Sequence, residues 1–143
     1  MLHSVLVKDY MASNLVTLSP EQDIMSAIGL MVAKSVTGAP VVDERGRLVG
    51  ILSDTDCIQA GLKSGFDPHW RGQVKDFMST EVETIEHDAS IVEIAERFIR
   101  DRYRRYPVIE ENQLVGQISR LDVLRALERL QHSAPAAPGK SKF

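Results

Sequence analysis

Three observations predict a mixed α/β fold (α+β in some schemes) built from a duplicated β-α-β-β-α unit. Residues 7–63 align with 74–129, with one deletion opposite Gly46, and are identical at 15 of 56 pairs; unrelated chains match at roughly one position in sixteen. Each copy carries one apolar stripe at helical spacing. Each also carries two short β-branched runs around a turn, followed by a second amphipathic stretch.

The elements follow in the same order in both copies. Val7-Lys8-Asp9-Tyr10-Met11 opens the first and Val74-Lys75-Asp76-Phe77-Met78 the second. Thr17-Leu18 reads as a short extended piece. Ser19-Pro20-Glu21-Gln22 then predicts a helix start, with Ser as N-cap, Pro at the first helical position and Gln closing a capping box. Ile24, Ala27, Ile28, Met31 and Val32 fall at i, i+3, i+4, i+7 and i+8, and the second copy repeats the stripe as Ile91, Ile94, Ala95, Phe98 and Ile99. Both stripes are expected to be buried. Ala39-Pro40-Val41-Val42 and Leu48-Val49-Gly50-Ile51-Leu52 flank Asp43-Glu44-Arg45-Gly46 as a hairpin, and the second copy tightens its turn around Glu111-Asn112. Pro40 and Pro107 stand where a strand begins, which tolerates the missing amide. A closing helix starts near Ser53 and Ser119 and ends near Lys63 and Leu130. The repeats therefore span residues 5–63 and 74–131, joined by a Gly/Pro-punctuated linker over 64–73 in which Trp70 is expected to pin the connection to the body. Residues 132–143 are expected to form a disordered tail. A half of roughly 60 residues is marginal alone, so the two should share one core.

Composition removes several function classes. The chain has 143 residues, 43% of them hydrophobic, and a net charge of −3. No apolar run approaches the roughly 20 residues that cross a bilayer, and MLHSVLVKDYM lacks the layout of a signal peptide, so no membrane association and a cytoplasmic location are expected. One cysteine, Cys57, and four scattered histidines give neither a disulfide nor metal-ligand spacing; Cys57 reads as a small buried hydrophobe. Balanced charge argues against nucleic acid as a partner. No nucleophile-base order or glycine-rich phosphate loop points to catalysis, so no catalytic residue is assigned.

Two local constellations remain. Gly50-Ile51-Leu52-Ser53-Asp54-Thr55-Asp56 and Gly116-Gln117-Ile118-Ser119-Arg120-Leu121-Asp122 place a hydroxyl and a carboxylate at a helix start. That pattern suits vicinal hydroxyl donors and an anion at free amides, and it is equally a capping box that needs no ligand. Arg97, Arg100, Arg102, Arg104 and Arg105 form the second. Arg97 and Arg100 follow Glu93 and Glu96 by four residues and are expected to form solvated helix pairs.

The duplication, the order of elements, the opening Val-Lys-Asp-x-Met, the Pro-Val strand and the Gly-x-x-Ser-x-x-Asp ending together resemble a tandem pair of cystathionine β-synthase (CBS) domains, the Bateman module, over nearly all of the chain outside linker and tail. The resemblance implies pseudo-two-fold symmetry and two clefts between the halves that bind adenosine ligands such as AMP, ADP, ATP or S-adenosylmethionine. It further implies a regulatory sensor that forms homodimers. Ser53 with Asp56, and Ser119 with Asp122, would then meet ribose and phosphate. Arg102, Arg104 and Arg105 would stand at a cleft mouth and converge with Arg120 on phosphate, whereas the first copy has Thr37-Gly38-Ala39 in its loop and Asp54 opposite Arg120. The cleft using Ser119 and Asp122 is accordingly expected to favour a phosphorylated ligand. Thr17 and Thr84 would lie beside the adenine edge, with Leu18 and Ile85 as apolar walls. Tyr103 and Tyr106 are stacking candidates, and the strand openings Gly38-Ala39-Pro40 and Arg104-Arg105-Tyr106-Pro107 complete the set. The function so implied is a non-catalytic regulatory module that signals to an unknown effector protein or through dimerisation; the alternative is a structural interaction module that binds no ligand.

Overall fold

A computed structural model describes residues 4–133. Helix α1 (Ile24–Lys34), strands β1 (Gly38–Val42) and β2 (Leu48–Ser53) and helix α2 (Asp54–Ser64) form the first half. Strand β3 (Ile85–Glu86), helix α3 (Ile91–Arg100), strands β4 (Arg105–Glu110) and β5 (Gln113–Ser119) and helix α4 (Arg120–Ser133) form the second. The strands β1 and β2 pair antiparallel with Gly38 opposite Ser53; β4 and β5 do the same with Arg105 opposite Ser119. In the second half β3 joins β4 in parallel. The first half keeps that geometry as a single bridge, Leu18 to Val41. The predicted order of elements is therefore observed in both halves.

Two apolar cores form in place of the one shared core expected, and their membership crosses the sequence repeats. Val7, Tyr10 and Met11, from the start of the first copy, pack with Ile85, Ile91, Ile94, Tyr106, Val108 and Ile118. Val74, Phe77 and Met78, from the start of the second, pack with Leu18, Ile24, Ala27, Val41 and Leu52. Backbone bonds enforce the exchange: Val7 N–H donates to Ala89 O and Ile91 N–H to Val5 O, as Ile24 N–H donates to Gly72 O and Val74 N–H to Gln22 O. Gly50 and Gly116 seat the exchanged segments. A Cβ on Gly50 would strike Met78 Sδ and Ser79 O, and one on Gly116 would strike Met11 Sδ and Ala12 O. Trp70 lies 5.9 Å from the Phe77 ring, centroid to centroid, and holds the connection against the first core as expected.

Several local expectations are corrected. Helix α1 starts at Ile24 with Asp23 as its N-cap, whose carboxylate accepts from Ser26 N–H. The Ser19-Pro20-Glu21-Gln22 stretch is instead a turn in which Gln22 N–H donates to Ser19 O. In the second copy Ser90 occupies the same position and caps α3 through Glu93 N–H. Val32 and Ile99, read as stripe members, are 73% and 88% exposed, because the buried face ends at Met31 and Phe98. The last helix runs to Ser133, so the start of the expected tail is helical, and the remainder of that tail lies outside the described residues. Among the described residues no helix is long and apolar enough to cross a membrane.

Candidate functional site

A cleft of about 510 Å³ opens where the halves meet. The first half contributes Thr37 and Gly38 at the start of β1, Ile51, and Ser53, Asp54 and Thr55 at the start of α2. The second contributes Ser79, Glu81, Val82 and Glu83 before β3, and Tyr103, Arg104, Arg105 and Pro107 around the start of β4. Both strand openings reach the cleft because Gly38 and Arg105 occupy equivalent positions in their hairpins, each opposite the serine that ends its sheet.

Among the described residues Arg104 has no hydrogen-bond or ion-pair partner, and Arg105 has only the Thr37 hydroxyl, to which its Nη2 donates across 3.4 Å. The guanidiniums are thus not consumed by acids of the facing half. Arg97 and Arg100 behave differently from the helix pairs expected of them. Arg97 donates through Nη1 to Thr84 O at 2.7 Å, reaches Glu83 at 3.4 Å and lies 4.5 Å above the centre of the Tyr106 ring. Its side chain is only 15% exposed. Arg100 pairs with Asp101. The Tyr106 hydroxyl donates to Asp101 Oδ2 and more weakly to Arg97 O. Arg100 and then Tyr106 hold the Asp101 carboxyl below its ordinary pKa against an opposing pull from desolvation, and burial raises the Tyr106 phenol. This network clamps the stretch at 83–84 and the arginine loop to α3.

The two Ser-x-x-Asp motifs form capping boxes, the reading that requires no ligand. Asp56 Oδ2 accepts from Ser53 N–H at 2.8 Å while Ser53 Oγ accepts from Asp56 N–H at 3.1 Å. Asp122 Oδ2 accepts from Ser119 N–H at 2.8 Å and from the Ser119 hydroxyl at 3.0 Å. They differ in the second carboxylate oxygen. Asp122 Oδ1 is taken by Arg125 at 2.8 Å, whereas Asp56 Oδ1 has no partner among the described residues, its helix carrying Gln59 where α4 carries Arg125.

Of the residues singled out in the sequence, Gly38, Ser53, Asp54, Arg104, Arg105 and Pro107 line the cleft, with Tyr103 beside them. Asp56 sits behind them in the α2 cap. The expected convergence of the arginine loop with Ser119 and Arg120 is corrected: the loop faces Ser53, Asp54 and Thr55, and Ser119, Arg120 and Asp122 are not among the lining residues. Tyr106 is fully buried beneath Phe98, Tyr103 and Arg97, so its faces are already covered and it has none left for a base. Leu18, Ile85 and Ala39 are core residues rather than cleft walls, and Pro40 is buried with them. Thr17 lines a separate depression with Pro20 and Asp43, and Thr84 another with Arg47 and Asn112. Sequence reasoning missed Ile51, Thr55, Ser79, Glu81, Val82 and Glu83. The alternation of Glu81-Val82-Glu83 was a signal of extended chain, yet only the pairing of Ser79 with Ile51 brings it to the cleft. Cys57 is half-buried, its Sγ 3.8 Å from Met31 Sδ, and burial pushes its thiol pKa up. Among the described residues no cluster of metal-ligating side chains occurs.

Comparison with known proteins agrees with this architecture. The CBS domain family model matches residues 7–63 and again 74–129. The CBS domain-containing protein YhcV of Bacillus subtilis is 35% identical over 115 residues, 79% of each chain. An inosine-5′-monophosphate dehydrogenase from Methanocaldococcus jannaschii is 32% identical over 85% of this chain. The chain spans only 22% of that enzyme and 42% of a further relative from the same organism. Among solved structures, CBSX2 of Arabidopsis thaliana, crystallised in complex with AMP, superposes with a TM-score of 0.76 at 28% identity, covering 89% of this chain and 98% of its own. The two family matches, the two sheets and the four helices agree: the chain belongs to the CBS domain family, as a tandem pair of CBS domains.

Proposed function

We propose that the protein is a non-catalytic regulatory module that holds an adenosine ligand in the cleft between its halves and passes the resulting change in their arrangement to another protein. The observation that carries this reading is the pairing of Arg104 and Arg105, which no carboxylate engages, from one half with the Ser53-Asp54-Thr55 helix start from the other. Guanidinium forks suit a phosphate, and the Asp56 oxygen left without a partner behind the lining suits vicinal ribose hydroxyls if the ligand reaches the α2 cap. The AMP complex of CBSX2 supports the ligand class. A ligand touching both halves favours one relative arrangement by its difference in affinity for the alternatives, which is all that such regulation requires.

The output follows from the surface. Ile58 and Leu62 on α2, Leu121 and Leu124 on α4, Val32 on α1 and Ile99 on α3 are all more than half exposed. These helix faces support a homodimer, through which the ligand signal would reach an effector. A thermal-shift panel with AMP, ADP, ATP, S-adenosylmethionine and GTP tests the reading. At a hundred times its dissociation constant a ligand stabilises the fold by about 2.7 kcal/mol, a rise of a few degrees. A phosphorylated adenosine ligand should raise the midpoint in wild type and fail to do so in Arg104→Ala/Arg105→Ala. A flat panel on folded protein would leave a structural interaction module that binds no nucleotide.

A further inference from the structure

We propose that this cleft counts phosphates, with Asp54 and Glu81 as specificity residues that accept adenosine monophosphate and disfavour the di- and triphosphate. The inference rests on the functional reading above and goes beyond it. Five charged side chains line the cleft: Asp54, Glu81, Glu83, Arg104 and Arg105. Glu83 is matched from behind by Arg97, which the Thr84 carbonyl and the Tyr106 ring hold in place. Two carboxylates and two guanidiniums then line one cleft of about 510 Å³, and screening over a Debye length of roughly 8 Å at physiological salt leaves each of them acting on a charge held there.

Asp54 is the decisive one. It is the first residue of α2, and its Oδ1 accepts from Thr55 N–H at 2.7 Å. The first amides of this helix, which would otherwise favour an anion, are already taken, Asp54 N–H by Thr37 O, Thr55 N–H by the Asp54 carboxylate and Asp56 N–H by Ser53 Oγ. The second repeat places Arg120 at the same position. One phosphate can be held by Arg104 and Arg105. Each further phosphate adds negative charge with no further cation to meet it and brings that charge toward Asp54 and Glu81. A carboxylate about 6 Å from a phosphate at an effective dielectric of about 40 costs roughly tenfold in affinity.

Calorimetric titration of the full chain with AMP, ADP and ATP in EDTA tests this, in wild type and in Asp54→Asn, Glu81→Gln and the double variant. The amide introduced by Asp54→Asn keeps an acceptor for Thr55 N–H and Glu81 is exposed, so the fold is retained, which the unligated melting temperature verifies. Wild-type affinity should fall at least about tenfold from AMP to ATP, and the double variant should remove most of that difference, tightening AMP as well but ATP by a clearly larger factor. Wild type binding ATP as tightly as AMP, or a series unchanged in the double variant, overturns the phosphate count and leaves the functional reading standing. No binding of any of the three to folded wild type overturns both.

Discussion

The two halves share a backbone plan and differ in the side chains set on it. Ile24, Ala27 and Met31 bury the same face of α1 that Ile91, Ile94 and Phe98 bury in α3. Gly50 receives Met78 as Gly116 receives Met11. Around that shared frame, Leu30 and Ala39 of the first half stand opposite Arg97 and Tyr106 of the second, Asp54 opposite Arg120, and Gln59 opposite Arg125. The helix stripes and the glycine seats are shared, while even a fully buried position differs, Ala39 against Tyr106. The duplication therefore keeps its packing while its helix starts become unlike, Asp56 keeping one carboxylate oxygen without a partner among the described residues and Asp122 engaged on both.

The largest test of the shared frame is the exchange of opening segments. Val7→Asp and Val74→Asp each put a carboxylate into the opposite half's core, where both valines are fully buried, and each should cost more than about 3 kcal/mol in urea unfolding. A large loss from one and a negligible loss from the other would break the symmetry of the frame. Next comes a difference between the halves. Tyr106→Phe removes the hydroxyl bonded to Asp101 and should cost about 1 kcal/mol, a term with no counterpart at Ala39. The helix caps are smaller still: Ser53→Ala and Ser119→Ala should each cost roughly 1 kcal/mol or less, with Ser119 the larger because its hydroxyl also donates to Asp122. Asp101 sharpens the comparison least. Its folded-state pKa is depressed, chiefly by Arg100, so its contribution is present above the unfolded-state value and lost as pH falls below about 4. The stability gap between wild type and Asp101→Asn should therefore shrink on acidification across that range.

The sequence made the order of elements legible because periodicity is a local property: the stripes up to Met31 and Phe98, the hairpin turns and the Ser-x-x-Asp helix starts appear where read. It misplaced the start of α1 because Ser19-Pro20 and Asp23 both offer cap chemistry, and only the burial of Ile24 decides between them. It could not show that Val7 belongs to the second core, since a repeat in sequence carries no statement of which half its opening segment joins. The same limit misdirected the arginine loop. Adjacency in the second copy linked Arg104 and Arg105 with Arg120, whereas the two halves face each other so that the loop meets Ser53 and Asp54. Tyr106 was ambiguous by residue type, and packing against Phe98 and Arg97 resolved it as core.

Titration calorimetry with AMP on wild type, Arg104→Ala/Arg105→Ala and Arg120→Ala tests most directly the claim that the clefts are unlike and that the arginine loop serves the one formed with Ser53 and Asp54. The double arginine variant should lose AMP affinity by at least about tenfold, while Arg120→Ala changes it by less than about threefold. Loss of binding in Arg120→Ala with affinity retained in the double variant would contradict the account.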